Sequence, residues 1–138
     1  MENTQKIVDG LNALVEVCHG SAHGSGWWKD LKTGIDLRQE ARDGTRLGKA
    51  LVAEKLCLIH SEVSEAMEGH RKSLPDDKLP QHSMFATELA DVLIRLADLI
   101  GAMDEKDFSY IVIDKIIFNS KREDHKIENR MKENGKAY

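Results

Sequence analysis

Apolar positions along this chain recur with a helical period and nowhere alternate with the two-residue period of a half-buried strand. Ile7, Leu11, Leu14, Val15 and Cys18 fall on one stripe and predict a first helix from about Asn3 to Cys18. The glycine-rich HGSAHGSG predicts a break after it, leading into Trp27 and Trp28. Residues from Leu31 to Thr45 are polar and read as a loop with a short helix. A second helix is expected from about Arg46 to Arg71, closed by SLPDDKLPQHS, where both prolines of the chain fall. A third covers about Ser83 to Met103. A fourth begins near Glu105, after an Asp104 cap, and continues to about Arg130. Four helices with short connections predict an all-α fold, an antiparallel four-helix bundle formed as one domain over 1–138.

Two acidic pairs interrupt this pattern: Glu62 with Glu65, and Glu88 with Asp91, each in a run that is otherwise strongly apolar. At 100° per residue, Leu47, Leu51, Leu58, Ile59, Val63 and Ala66 define a broad apolar arc on the second helix. Glu62 falls inside that arc and Glu65 on its edge, whereas His60, Ser61, Ser64 and Glu68 lie opposite. The third helix is apolar almost all round, which predicts a central position. Its one polar stripe holds Glu88, Asp91, Arg95 and Asp98. A plain account of that stripe is a solvent strip in which Arg95 pairs with Asp91 and Asp98 along the helix. The alternative is that the two pairs converge. Carboxylates on core-facing positions are costly unless paired or bound to a cation, and an all-oxygen ligand set suits Mg²⁺, or Mn²⁺ in its place, better than zinc or copper. A di-iron carboxylate site wants Glu-x-x-His on each of two helices, and only Glu16 with His19 has that spacing.

On the fourth helix Phe108, Ile111 and Val112 predict an inward stripe that Lys115, Asn119, Arg122 and Lys126 continue, with Lys121 and His125 to one side. Cations at a helix C-terminus suit its dipole in any protein. Beside an acidic metal site they would also clamp phosphates. Trp27 and Trp28 read either as a plug for the end of the bundle or as a stacking platform for a nucleobase.

Composition narrows the classes. Hydrophobic residues make up 41% and charged residues 32%, with a formal net charge of −4. That balance gives no general attraction to nucleic acid or an anionic membrane. Cys18 and Cys57 lack metal-type spacing and are expected to be buried free thiols in a reducing compartment. MENTQKIVDG has no apolar signal region and no run approaches a membrane span, so a cytoplasmic protein is expected.

The segments LVAEKLCLIHSEVSEAMEGHRK, DDKLP, ELADVLIRLADLIGA and NSKREDHK together resemble the MazG-like nucleotide pyrophosphohydrolases, most closely the small single-domain, phage-type versions. The resemblance runs from about Gly26 to the GKAY end and places the chain with the all-α NTP pyrophosphatases. It implies hydrolysis of a nucleoside triphosphate between the α- and β-phosphates, giving the monophosphate and pyrophosphate. It further implies Mg²⁺ held by Glu62, Glu65, Glu88 and Asp91, and a phosphate-side region at Lys115, Asn119, Lys121 and Arg122. Glu62 or Glu65 would orient or deprotonate the attacking water. Deoxynucleotides, with purines such as dGTP, are the expected substrates, and a homodimer or homotetramer the expected assembly. From a different class, a non-catalytic helical module that binds nucleotides or a protein partner around a structural cation would keep the same fold.

Overall fold

The computed structural model describes residues 2–136, and among these no β-strand forms. In chain order the helices are α1 (Glu2–Gly24), α2 (Leu37–Arg42), α3 (Arg46–Lys72), α4 (Met84–Ala102), α5 (Phe108–Ser120) and α6 (Ile127–Arg130), with a 3₁₀ turn over Glu123–His125. None of them is long and apolar enough to cross a membrane. The chain divides into two compact units, Asn12–Glu105 and Met1–Leu11 with Lys106–Tyr138.

The larger unit is organised by α3 and α4. Thr45 caps α3 by accepting the Gly48 N–H at 3.0 Å, and Ser83 caps α4 by accepting from Ala86. Between the two helices, Ser73 ends α3 in the left-handed region at φ 53°. The connecting loop is pinned by Asp76, whose carboxylate accepts from the Lys78 and Leu79 amides and, at 2.7 Å, from the Thr87 hydroxyl. Glycine sets how closely the hairpin closes: a Cβ at Gly69 would stand 2.8 Å from Met84 Cβ. α2 lies against the start of α3, and its core contribution, Ala41, packs with Trp28, Leu99 and Ala102 against Val52, Ile59 and Met103. Arg42 donates from Nε to the Ala102 carbonyl at 2.7 Å and so satisfies an orphan acceptor at the end of α4.

α1 does not stop at Cys18 but continues through the glycines to Gly24. Helical glycine costs only about 1 kcal/mol, and tertiary contact outweighs it here. His19 lies so close to α4 that a Cβ on Gly101 would come within 2.5 Å of His19 Cβ. Cys18 is buried as expected, and burial pushes its thiol up, the Asp98 charge adding to the effect. Cys57 is exposed.

In the smaller unit the expected long fourth helix is interrupted. α5 ends at Ser120, Lys121 closes it, and Arg122 turns extended at φ −68° and ψ 129°. Local side-chain bonds win over the helix at this point. The Arg122 guanidinium pairs with Asp124 through two hydrogen bonds of 2.9 and 2.6 Å, and Asn129 donates to the Glu123 carbonyl at 2.7 Å.

Candidate functional site

The α3–α4 hairpin brings three of the four expected ligands together. Carboxylate oxygens of Glu62, Glu65 and Glu88 all lie within 4.8 Å of one another. Each follows from its place on its helix. Glu62 is on the α3 line that faces α4 and is only 6% exposed, Glu65 sits at the solvent edge, and Glu88 is half-buried on the facing side of α4. Asp91, one turn further along α4, stands exposed and outside the group, though its charge still reaches Glu88.

The electrostatics of this cluster are those of a site short of positive charge. Burial pushes the Glu88 carboxyl up to about 7, and a hydrogen bond with Glu62 and the charges of Glu65, Glu62 and Asp91 add to it. A proton shared between like charges is what such a cluster holds when no cation neutralises it. One partial answer comes from α4 itself. Arg95 Nη2 reaches Glu62 Oε1 at 2.9 Å, with the guanidinium 42% exposed. Arg95 therefore bridges to α3 and leaves the Asp91 and Asp98 pairing expected along its own helix unmade. The donor set, carboxylates alone, fits a hard divalent cation.

A second acidic node lies nearly three turns beyond Glu88 on α4, and the sequence does not predict it as a unit. Asp98, 7% exposed, accepts the Trp28 indole N–H at 2.9 and 3.0 Å and contacts His19 Nδ1 at 2.9 Å. His19 Nε2 in turn stands 3.5 Å from an Arg38 guanidinium nitrogen, and that guanidinium is held by Asp36. The sequence signal for this node is a tryptophan whose N–H needs an acceptor once buried.

The two tryptophans part company. Trp28 is 1% exposed, so it plugs the core and offers no open face to a base. Trp27 is 70% exposed and keeps a free ring surface, with Lys55 Nζ 5.8 Å from its centroid and 4.8 Å from that of Trp28. The stacking expectation therefore rests on Trp27.

The expected phosphate-side residues belong to the smaller unit. They do not form a single helical stripe, because only Lys115 and Asn119 lie on α5, while Arg122 and Lys126 fall beyond its end. Lys115 Nζ stands over the Phe118 ring at 5.2 Å, Asn119 is half-buried and Lys121 exposed. Arg122 is committed to Asp124, and Lys126 to Glu123 at 2.6 Å.

Comparison with protein-family models, with curated proteins and with solved structures finds no match to this chain.

Proposed function

We propose that this chain is a Mg²⁺-dependent nucleoside triphosphate pyrophosphohydrolase that converts a (d)NTP and water to the (d)NMP and pyrophosphate. The observation that carries the reading is the convergence of Glu62, Glu65 and Glu88 across two helices that are otherwise apolar. A scaffold gains nothing from clustered like charges, whereas a phosphoanhydride hydrolase needs this density of hard oxygen ligands.

Glu62, Glu65 and Glu88, with Asp91 alongside, would hold the cation. When bound, Mg²⁺ supplies charge neutralisation at the phosphate oxygens and a more acidic water. Glu62 is occupied by Arg95 and by Glu88, which makes it a fixed strut of the site. Glu65, on the solvent side, would orient and deprotonate water for attack on the α-phosphorus. Lys115, Asn119, Lys121 and Arg122, in the smaller unit, are the residues the resemblance assigns to the phosphate side, and Trp27 would stack on the base. Deoxynucleotides, purines such as dGTP among them, are the proposed substrates. The reading carries with it a four-helix bundle, an assembly of two or four chains and a cytoplasmic setting.

Incubation of the protein with each canonical ribo- and deoxynucleoside triphosphate and Mg²⁺, followed by chromatography, tests the proposal. Monophosphate and pyrophosphate in equal amounts are expected, and Glu65→Gln should suppress both. No turnover of any nucleotide by the folded protein, or wild-type turnover by Glu65→Gln, contradicts it.

A further inference from the structure

The core-facing line of α3 carries a second misfit besides Glu62. Val52, Lys55, Ile59, Glu62 and Ala66 fall within about 80° of one another around the helix. Val52 and Ile59 pack on the buried cluster that includes Trp28, and Ala66 is itself buried. Lys55 is half-buried on that line, and among the described residues no carboxylate forms an ion pair with it. Two indoles hold its ammonium instead, with Nζ 4.8 Å from the Trp28 ring centroid and 5.8 Å from that of Trp27. Position also separates Lys55 from the acidic cluster. Seven residues put it about 10 Å from Glu62 along the axis of α3. Helical side chains lean toward the N-terminal end, so the ammonium points away from the carboxylates and toward the tryptophans. All of these groups belong to the larger unit. Along one helix the order is therefore indole and ammonium, an apolar step at Ile59, and then the oxygen ligands proposed for the cation.

We infer that Lys55 is a specificity-determining residue: it reads the edge of a base stacked on Trp27 and selects the keto bases guanine and thymine over adenine and cytosine. The inference rests on the nucleotide site proposed above and adds a substrate class to it. Trp27 keeps an open ring face, and a base stacked there lies beside the ammonium that the same ring holds. An ammonium has three donors and no acceptor. Guanine offers it O6 and N7, and thymine offers O4. Adenine and cytosine turn an amino group to the same edge, so donor would face donor and both would lose their water without gaining a partner. A contact to phosphate would be indifferent to the base. Lys55 stands at the base end of the line, two helical turns from the carboxylates where the cation and the phosphates belong.

Calorimetric titration of the full chain, in Mg²⁺, with the α,β-methylene analogues of dGTP, dTTP, dATP and dCTP tests the inference without requiring turnover. The two keto analogues should bind at least about tenfold more tightly than the two amino analogues. Lys55→Met, which keeps an apolar stem against the indoles, should bring the four to within about twofold of one another. Lys55→Arg, which keeps donors at the same place, should retain the order. The α,β-methylene analogue of dITP, whose hypoxanthine keeps O6 and N7 and lacks only the amino group, should bind wild type as the guanine analogue does. That comparison needs no variant to fold. Equal binding of the four by wild type, binding of none, or a dITP analogue held no better than the adenine one overturns the inference. So does a preference that folded Lys55→Met retains, including one retained while all four weaken alike, which would assign Lys55 to the phosphates. The preference without hydrolysis of the natural triphosphates would overturn only the proposed function, and hydrolysis without the preference would overturn only this inference.

Discussion

α4 carries two kinds of acid within a few turns, and their surroundings separate them. Asp98 is buried with its acceptor capacity matched by the Trp28 indole and His19. Glu88 is less buried yet lies among other carboxylates, and its pKa rises to about 7. The first is an acid whose partners come from the protein. The second is an acid whose neighbours are other acids. Burial alone does not set the charge state of a carboxylate; what faces it does.

The contrast can be broken most forcefully at Asp98. Asp98→Ala leaves the Trp28 N–H and His19 without a partner in a closed core, and each unsatisfied buried group costs about 1–3 kcal/mol. A loss of roughly 3 kcal/mol is expected in denaturant unfolding, with little change in divalent-cation affinity in whatever fraction stays folded. A loss below about 0.5 kcal/mol would mean that the node is not structural.

Glu88→Gln should do the reverse. Removing one carboxylate relieves repulsion, so the cation-free protein should be as stable as wild type or more so. Nucleotide hydrolysis should fall at least about 100-fold, which is roughly 2.7 kcal/mol of barrier. Initial rates with saturating Mg²⁺ check this, and a fall of less than fivefold would detach Glu88 from the chemistry.

The pH dependence sharpens the same point. Glu88 has a folded pKa raised from 4.5 to about 7, so between those values the folded state holds a proton that the unfolded state has lost. The group's contribution is therefore most favourable below about pH 4.5 and declines as pH rises to about 7. Relative to Glu88→Gln, the wild-type melting temperature should fall across that window in chelator and recover when Mg²⁺ is added at neutral pH. Parallel curves for the two proteins would show that Glu88 does not titrate there.

The smallest effect is expected at Arg95. It neutralises Glu62 from a side chain 42% exposed, and pairs of that kind contribute up to about 1 kcal/mol. Arg95→Gln should lower stability by no more than that while raising the affinity for a divalent cation, which would then face an uncompensated Glu62. Weaker cation binding in the variant would instead make Arg95 part of the binding geometry.

Helical periodicity was enough to place α3 and α4 to within a residue or two, because both have polar caps and a clear apolar arc. It also put Glu62 inside the apolar arc of one helix and Glu88 on the single polar stripe of the next, since direction on a helix follows from spacing alone. What lay outside its reach is contact between segments distant in sequence. The run of α1 through Gly20 and Gly24 depends on His19 meeting Gly101 on α4. The partner of Arg95 is on α3 and not on its own helix. α5 stops because Arg122 prefers Asp124, a local competition that a stripe of cations does not reveal. Trp27 and Trp28 are adjacent and chemically identical, and only the fold buries one and exposes the other.

The Glu62, Glu65 and Glu88 cluster, and not the Asp98 node, is the proposed place for a hard cation. Titration of Mn²⁺ into the protein, followed by its electron paramagnetic resonance signal, compares wild type, Glu88→Gln and Asp98→Asn directly. Saturable binding by wild type, weakened at least about tenfold in Glu88→Gln (roughly 1.4 kcal/mol) and kept in folded Asp98→Asn, is the predicted result. Equal binding by wild type and Glu88→Gln, or its loss in folded Asp98→Asn alone, would contradict it.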